Sequence, residues 1–532
     1  MSNLTQLNES TLGLLENNDP AIDGLIFTKS HWIKRAGRAI GDSTSLRRLN
    51  IGIPSREMDG TWLSELLRHL PRNRSIESLK VGLAPSPLSR YIYELEWDIF
   101  HELTPFIEHN SNLRNIELRW GTQSMLNSLT LALSTCKNKR LERIKLHHAL
   151  AEDDYDRIFA SLTEYNNLLE ICVGDSEIGT LGCVELSKFL RNSESKIHKL
   201  QLLNNELDDE RMVILSIGLM RSKSMKLLDL RRNSSATAKG WGAFSAILFH
   251  PTCTIEKLWL SGVDLNDEGV TYLGEALAVN KSAQYLDLFN NPSITNDGWR
   301  EFFKCMRNPD SSLKKLDLSD CSIDDEGVAT IMNALVGNVS LKRLSLLDNN
   351  ITSRGLMTIF NSLLNCEVSI EDMDLRGNSI DFEELSQEDW RVLSRALYDK
   401  SSIDSTYSSN HTLFSLKLDY FENTEDWLDE VWSGIESLLS MNENRNKAQL
   451  ARQKILEYHF NLSDEHTDTS VFAGMLDNAL PNALEWIGRS RDIRTFSIMF
   501  NVFRGKPTLF DITNDPIIEG AKKRKLGDAG DR

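Results

Sequence analysis

Apolar residues along the middle of the chain recur in one spacing: apolar-x-x-apolar-x-apolar, then a small or amide residue three positions later, then another apolar residue. From Met225 to Ile370 the successive starts of this segment are 30, 28, 30, 28 and 29 residues apart. A regular period of this length predicts a solenoid in which similar units stack side by side. Thirteen segments begin at Leu46, Ile76, Leu113, Leu141, Leu168, Ile197, Met225, Ile255, Ala283, Leu313, Leu341, Ile370 and Leu413.

Each unit changes its apolar spacing partway along. The first part alternates apolar and polar residues, as a strand does, and the second part has helical spacing, as in GVATIMNALVG at residues 327–337. No unit can bury its own apolar side, so neighbouring units must supply the core. The pattern therefore predicts an α/β fold: a horseshoe-shaped solenoid with inner parallel strands and outer helices.

The residue eight positions after each start is often asparagine. A buried amide at this point satisfies backbone groups in the turn that leaves the strand, while valine or cysteine fills the same space. In the later units this position holds Asn205, Asn233, Val263, Asn291, Cys321, Asn349 and Asn378. The period and this alternation resemble ribonuclease-inhibitor-like leucine-rich repeat proteins with long repeats of 28 to 30 residues. The resemblance covers roughly residues 22–422 and implies the same horseshoe fold.

The repeats divide the chain into predicted segments. After Ile380 an insertion contains a helix, DWRVLSRALYD, and a polar loop at 401–410. Helical spacing takes over in TEDWLDEVWSGIESLLS, and the later phrase LPNALEWIG is similar to leucine-rich repeat families of diatoms. We predict an N-terminal cap with a degenerate first repeat at 1–45, about 13 repeats at 46–422, a helical C-terminal cap or extension at 423–510 and a disordered basic tail at 511–532.

The composition of the chain indicates which partners and which cellular location to expect. The 532 residues include 77 acidic and 60 basic ones, and the net charge of −17 disfavours direct binding to nucleic acid. The amino terminus has no secretory pattern, no apolar run has membrane-spanning length, and the seven cysteines contain no CxxC pair. We therefore expect an intracellular protein, cytoplasmic or nuclear, with reduced thiols and without cofactor or metal. The tail residues Lys522, Lys523, Arg524 and Lys525 predict recognition by a nuclear import receptor, although such short runs are common.

Motifs of enzymes are missing from the sequence. HELTPFIEH at 101–109 lacks the one-turn histidine spacing of a zinc helix, and KGWGAFS at 239–245 lacks the third glycine of a dinucleotide-binding turn. We find no phosphate-binding GxxxxGK[ST] loop and no GxSxG elbow. We therefore predict no catalytic residues and a chain that is not an enzyme.

The concave strand face is the predicted binding surface, because residues two, four and six positions after each start point away from the helices. On the early strands these positions are basic, with Arg48, Lys80, Arg119, Arg143, Lys145 and His147. On the later strands we predict protein-binding residues among aromatic, apolar and acidic side chains: Leu227, Asp229, Trp259, Tyr285, Asp287, Phe289 and Asp317. The alternative is that the aromatic residues pack on one another for stability and that the charges form a solvated face.

The resulting hypothesis is a non-enzymatic interaction scaffold or regulator that binds a protein partner through its concave face. The resemblance also leaves open a regulator of an enzyme, such as a Ran GTPase-activating protein or a ribonuclease-inhibitor-like inhibitor. The chain lacks the long acidic tail typical of the Ran activators, and its early basic strands would repel basic ribonucleases.

Overall fold

The computed structural model describes residues 4–458, with gaps at 29–31, 54–60, 84–97, 120–122, 137–138, 148–154, 309–310, 365–367, 420–425, 444–449, 452–453 and 456–457. The chain divides into two compact units. The first contains residues 1–351 and 375–379, and the second contains residues 352–374 and 380–532.

The first unit contains thirteen described strands, which are parallel and follow one another in chain order. Leu228 pairs in register with Leu258, and the row continues through Leu286, Leu316 and Leu344, each at most 2% exposed. One side of every strand therefore enters a continuous core. The strands are β1 (Thr5–Gln6), β2 (Gly24–Phe27), β3 (Arg48–Ile53), β4 (Ser78–Leu83), β5 (Asn115–Arg119), β6 (Arg143–His147), β7 (Glu170–Gly174), β8 (Lys199–Gln201), β9 (Leu227–Asp229), β10 (Lys257–Trp259), β11 (Tyr285–Asp287), β12 (Lys315–Asp317) and β13 (Arg343–Ser345).

A layer of helices covers the buried side of this sheet. Neighbouring helices, with the short 3-10 turns between some of them, contact one another, and their apolar residues are buried. The described helices of the first unit are α1 (Glu9–Glu16), α2 (Ile33–Asp42), α3 (Thr61–Leu67), α4 (Thr104–His109), α5 (Gln123–Thr135), α6 (Tyr155–Ser161), α7 (Thr180–Arg191), α8 (Asp209–Leu219), α9 (Ala238–Phe249), α10 (Asp267–Val279), α11 (Asn296–Phe302) and α12 (Asp325–Leu335). Short 3-10 turns extend several of them.

The helix layer is tied together at its N-terminal ends. Asn266 caps α10 by accepting a hydrogen bond from the amide of Gly269 at 2.9 Å. The adjacent Asp267 accepts hydrogen bonds from the amide and the hydroxyl of Thr295, both at 2.7 Å, and Thr295 is the cap of α11. Farther along α10, a Cβ on Gly274 would lie 2.8 Å from the Cα of Phe302, so glycine permits the close approach of the two helices.

The asparagine positions form a ladder inside the turns. The side-chain amide of Asn291 donates to the carbonyls of Leu260 (3.0 Å) and Leu288 (2.8 Å), and its oxygen accepts from the amide of Leu265 (3.0 Å). Asn349 repeats this pattern two units later, where its oxygen accepts from the amide of Cys321 at 3.0 Å. Each asparagine thus satisfies backbone groups of its own unit and of the preceding one, as predicted.

The second unit continues the same alternation. Its described elements are α13 (Ser353–Leu364), β14 (Asp372–Asp374), α14 (Gln387–Leu397), α15 (Ile403–Ser408), β15 (Ser415–Lys417) and α16 (Asp426–Asn442). The strands β14 and β15 are parallel and paired. The predicted helices in the insertion and after the last repeat are confirmed as α14 and α16.

The prediction of a loop at 401–410 is wrong for its central part, because α15 forms there. Ser402 caps this helix by accepting from the amide of Ser405 at 3.0 Å, while Ile403 and Thr406 are buried. A buried lysine lies close by in the same unit: Lys454 is 0% exposed and donates hydrogen bonds to the carbonyl of Leu397 and the side-chain oxygen of Asn442.

The predicted α/β leucine-rich repeat solenoid is confirmed. All thirteen predicted starts are at most 4% exposed, and a strand begins two residues after each of them. The strands β1 and β2 lie within the segment predicted as N-terminal cap, and the domain boundaries at 45/46 and 422/423 stay predictions. Within the described part of the chain, no helix has both the length and the apolarity that crossing a bilayer requires.

Candidate protein-binding surface

The later strands of the first unit expose a mixed face on the side away from the helices. In the register of the sheet, Trp259 lies beside Asp229 and Asp287, and Asp287 lies beside Asp317. Tyr285 begins the strand that ends in Asp287. The strand register therefore brings the predicted residues together. We call this set the aromatic–acidic surface; it consists of Leu227, Trp259, Tyr285, Asp287, Phe289 and Asp317.

An arginine holds the indole of Trp259 in place. The guanidinium carbon of Arg231 lies 4.8 Å from the centroid of the Trp259 ring, within the range of a cation–π contact. Arg231 itself donates two hydrogen bonds, of 2.9 and 2.7 Å, to the two carboxylate oxygens of Asp229. Gln201 donates a further one to Asp229 at 3.0 Å. Contacts within the protein therefore hold the Trp259 side chain in position without a bound partner.

Asp229 has a supporting role in this arrangement. Its residue surface is 0% exposed, so its carboxylate has no free surface on which a partner could bind. The structure therefore corrects the prediction of a direct contact through Asp229. Its carboxylate raises the pKa of Arg231 through their hydrogen bond, and it orients the guanidinium that lies over Trp259.

The two other carboxylates differ from Asp229 because no ion pair of the described residues neutralises them. Asp287 accepts from the amide of Phe289 at 3.0 Å, and Asp317 accepts from the hydroxyl and amide of Ser319 at 2.6 and 3.1 Å. Burial raises the pKa of Asp287, and the charge of Asp317 adds to that increase. A cation from a partner would stabilise the ionised carboxylates and so oppose the rise in the pKa of Asp287.

Aromatic and apolar groups complete the surface. Phe289, two residues after the end of β11, is 39% exposed. Tyr285 is half-buried, and burial together with Asp287 and Asp317 raises its pKa to about 12, so its hydroxyl keeps its proton. Leu227 is half-buried at the other end of the surface.

A basic row borders this surface and was missing from the sequence prediction. Lys257 and Lys315 flank Tyr285 on the adjacent strands, and Arg343 lies beside Lys315 on the next one. All three cations are exposed. They occupy the second position after the repeat start, which the spacing already assigns to the open face. The surface therefore presents cations along one row and carboxylates along the next.

The cations of the early strands form ion pairs, so carboxylates neutralise part of the predicted basic end. The Nζ of Lys80 and the Nε of Arg119 each lie 2.7 Å from the Oε1 of Glu117. Arg48 pairs with Asp23 at 2.9 Å. The sequence prediction named the cations but omitted the carboxylates at equivalent positions on neighbouring strands.

Glu170 is the most buried member of this charged network. Its residue surface is 6% exposed, and its oxygens lie 2.8 Å from Lys199, 2.9 Å from Lys145 and 3.5 Å from Arg143. Burial alone would raise the pKa of Glu170, but the contacts with Lys199 and Lys145 outweigh burial and hold it below its ordinary value.

Glu170→Gln is expected to lower the free energy of unfolding by about 2 kcal/mol at pH 7, since three cations lose their shared anion. Because the folded-state pKa of Glu170 is depressed, its contribution is present above the unfolded pKa of about 4.5 and is lost as the pH falls through the folded value. The difference between variant and wild type should therefore shrink at pH 3. Urea unfolding at pH 7 and at pH 3 measures this difference in the free energy of unfolding.

The matched control is Glu142→Gln, which removes a more exposed carboxylate that pairs with Arg114. Its effect should stay within about 0.5 kcal/mol because exposed pairs contribute little. An equal loss at pH 7 and pH 3 in the Glu170 variant would contradict the electrostatic explanation.

No protein-family model matches the chain. Among curated proteins, it is 26% identical over 174 residues to the mouse ribonuclease inhibitor, covering 33% of this chain and 38% of that protein. This match agrees with the strand–helix repeats and the asparagine ladder. The chain has a leucine-rich repeat solenoid fold and is similar in sequence to the ribonuclease inhibitor.

Two further relatives carry longer aligned regions. The leucine-rich repeat protein is 27% identical over 244 residues to human NACHT, LRR and PYD domains-containing protein 14. The aligned region covers 45% of this chain and 22% of the relative. It is 25% identical over 319 residues to mouse NACHT, LRR and PYD domains-containing protein 5, and that aligned region covers 58% of this chain and 26% of the relative. The aligned regions thus span less than two fifths of these relatives.

One thiol of the leucine-rich repeat protein lies beside an imidazole on the strand face. The Sγ of Cys172 is 3.7 Å from the Nε2 of His147, a pairing that could suggest a nucleophile and its base. However, burial raises the pKa of Cys172 to about 12, so the thiol stays protonated at neutral pH. Among the described residues, no group of three or more His, Cys, Asp or Glu side chains could hold a metal ion.

Several predictions lie outside the residues that the structure describes. They include the phrase LPNALEWIG with its similarity to diatom families and the basic tail residues Lys522, Lys523, Arg524 and Lys525. Recognition by a nuclear import receptor and an intracellular location stay predictions.

Proposed function

We propose that this leucine-rich repeat protein is a non-enzymatic scaffold or regulator that binds a protein partner through the aromatic–acidic surface. The observation that carries the proposal is the combination of an exposed Phe289 with a Trp259 that Arg231 already holds in place. Rigid, exposed aromatic side chains bind with little loss of conformational entropy, and they are enriched among residues that dominate interface energies.

The charge pattern defines the partner more closely. Asp287 and Asp317 carry charges without an ion pair among the described residues, so they fit basic side chains of a partner. The neighbouring row of Lys257, Lys315 and Arg343 fits acidic side chains. The surface therefore suits a protein whose contact face carries both signs of charge around an apolar centre.

Inhibition of a ribonuclease is the less favoured function. The mouse ribonuclease inhibitor matches only 33% of this chain. A strongly basic enzyme would meet Asp287 and Asp317 favourably, but it would also meet the exposed cations Lys257, Lys315 and Arg343. A partner of mixed charge avoids this repulsion.

Site-specific photocrosslinking tests the proposed surface. The photoreactive residue p-benzoylphenylalanine replaces Phe289 in one protein and Leu181 in another, where Leu181 is 67% exposed on the helix α7. We expect a defined protein adduct from position 289 and none from position 181 after irradiation in native extract. The adduct should disappear when excess protein without the photoreactive residue competes.

Mass spectrometry of the adduct identifies the partner. Adducts that form equally from both positions would show non-specific capture. A specific adduct from position 181 alone would place the partner on the helix side and overturn the proposal.

A further inference from the structure

A second concavity lies on the same strand face, on the strands β3 to β6 and away from the aromatic–acidic surface. Its volume of about 430 Å³ lies within the range of small-ligand pockets. Eight of its eleven lining residues have polar or charged side chains. The lining consists of Leu4, Arg48, Leu49, Asn50, Ser78, Lys80, Asn115, Ile116, Glu117, Arg143 and Lys145.

The electrostatics of the cavity favour an anion. Four cations line it, and Glu117 is the one carboxylate among the lining residues. When the directly paired neighbours among the described residues are included, the set contains six cations and three carboxylates. The cations are Arg48, Lys80, Arg119, Arg143, Lys145 and Lys199, and the carboxylates are Asp23, Glu117 and Glu170.

The cavity also offers neutral hydrogen-bond donors. Among the described residues, the side chains of Asn50 and Ser78 make no hydrogen bond within the protein. Asn115 uses its oxygen to accept from Arg143 at 3.2 Å, so its NH₂ group is left to donate. Amide and hydroxyl donors beside lysine and arginine are the groups that surround bound phosphate.

We propose that this cavity binds a phosphate monoester. Such a group carries a charge of about −1.5 to −2 at pH 7 and three strong acceptor oxygens, which fits a surplus of cations with adjacent donors better than a single carboxylate does. The group occurs on phosphorylated serine or threonine side chains of proteins and on small phosphate esters. The inference is independent of the proposed partner surface because the two residue sets do not overlap.

Three substitutions test the cavity, and each has a definite direction. Lys80→Met removes a lining cation and keeps the apolar stem, so binding should weaken at least tenfold. Glu117→Gln removes the lining carboxylate, so binding should strengthen severalfold. Lys226→Met is the matched control, because Lys226 pairs with Glu256 at 2.6 Å as Lys80 pairs with Glu117 at 2.7 Å, but lies outside the cavity.

Isothermal titration calorimetry at low salt measures binding of N-acetyl-O-phosphoserine amide, with N-acetylserine amide as the uncharged comparison. We expect heat of binding for the phosphorylated probe only, a loss in the Lys80 variant, a gain in the Glu117 variant and no change in the Lys226 variant. Circular dichroism checks that each variant is folded.

A pentapeptide with a central phosphoserine separates the two sources of the ligand. Tighter binding of the peptide than of the single-residue probe assigns the cavity to phosphorylated proteins, and equal binding assigns it to small esters. The proposal is overturned if the wild type binds neither phosphorylated probe. It is also overturned if the Lys80 and Lys226 variants lose binding equally, or if Glu117→Gln brings no gain.

Discussion

Replacing Asn291 by leucine is expected to lower the free energy of unfolding by about 4 kcal/mol, because several buried backbone groups lose their partners at once. The Asn291 amide donates to the carbonyls of Leu260 and Leu288, and its oxygen accepts from the amide of Leu265. Leucine offers neither a donor nor an acceptor. The loss would affect two units together, because the ladder joins each turn to the preceding one.

Cys321→Val is the matched control in the following unit. Cys321 occupies the equivalent position and is 0% exposed, and Val263 already fills that position in the preceding unit. The thiol of Cys321 donates only weak hydrogen bonds, to the carbonyls of Leu288 and Ser319 at 3.2 and 3.4 Å. The ladder bond runs from the backbone amide of Cys321 to Asn349, so the substitution leaves that bond in place. The free energy of unfolding should therefore change by less than about 1 kcal/mol.

Urea unfolding followed by circular dichroism gives the stability of both variants. Hydrogen exchange at the Leu265 amide gives a local measure, because this amide should lose its protection in the Asn291 variant. Equal stability of the two variants would show that the asparagine ladder does not stabilise the turns. Protection of the Leu265 amide at the wild-type level would show the same.

The register of the repeats could be predicted from sequence even where the asparagine is missing. Leu46, Ile76, Leu113 and Leu141 begin units with proline, glycine or alanine at the ladder position, yet all four are buried and precede a strand. The reason is that strand alternation and core burial both depend on the apolar positions. A substitution in the turn leaves those positions unchanged.

Charge pairing on the strand face could not be predicted in the same way. Whether Lys80 is free or paired depends on the residue at the same height on the next strand, which is Glu117. That residue is 37 positions away in the sequence, and an irregular unit separates the two. A map of the strand face therefore needs every charged residue at the second, fourth and sixth positions, as the missed Lys257 and Lys315 also show.

The supporting role of Asp229 could not be predicted from the sequence, for a related reason. The spacing assigns Asp229 to the open face, which is correct for its direction, but it gives no measure of how Arg231 and Gln201 cover it. Burial on a strand face depends on the length of neighbouring side chains. The same contacts that cover Asp229 hold Arg231 against Trp259, so one set of interactions both hides an acidic residue and fixes an aromatic one.

The double substitution Trp259→Ala and Phe289→Ala is expected to reduce affinity for the crosslinked partner at least about 100-fold, or about 2.7 kcal/mol, since aromatic anchors at interfaces often contribute 2 kcal/mol or more each. The variant removes the fixed indole and the most exposed aromatic group of the surface. Asp229 and Arg231 remain, so their mutual hydrogen bonds should preserve the fold.

Quantitative affinity capture with isotope-labelled reference protein measures the ratio of bound partner. The matched control is Leu181→Ala with Val279→Ala, which removes two exposed apolar side chains, at 67% and 55%, from the helices α7 and α10. Partner binding should be unchanged in this control. If both double variants lose the partner equally, exposed apolar area in general drives the association. If neither does, the partner does not bind through Trp259 and Phe289, because an interface centred on them would not survive their loss.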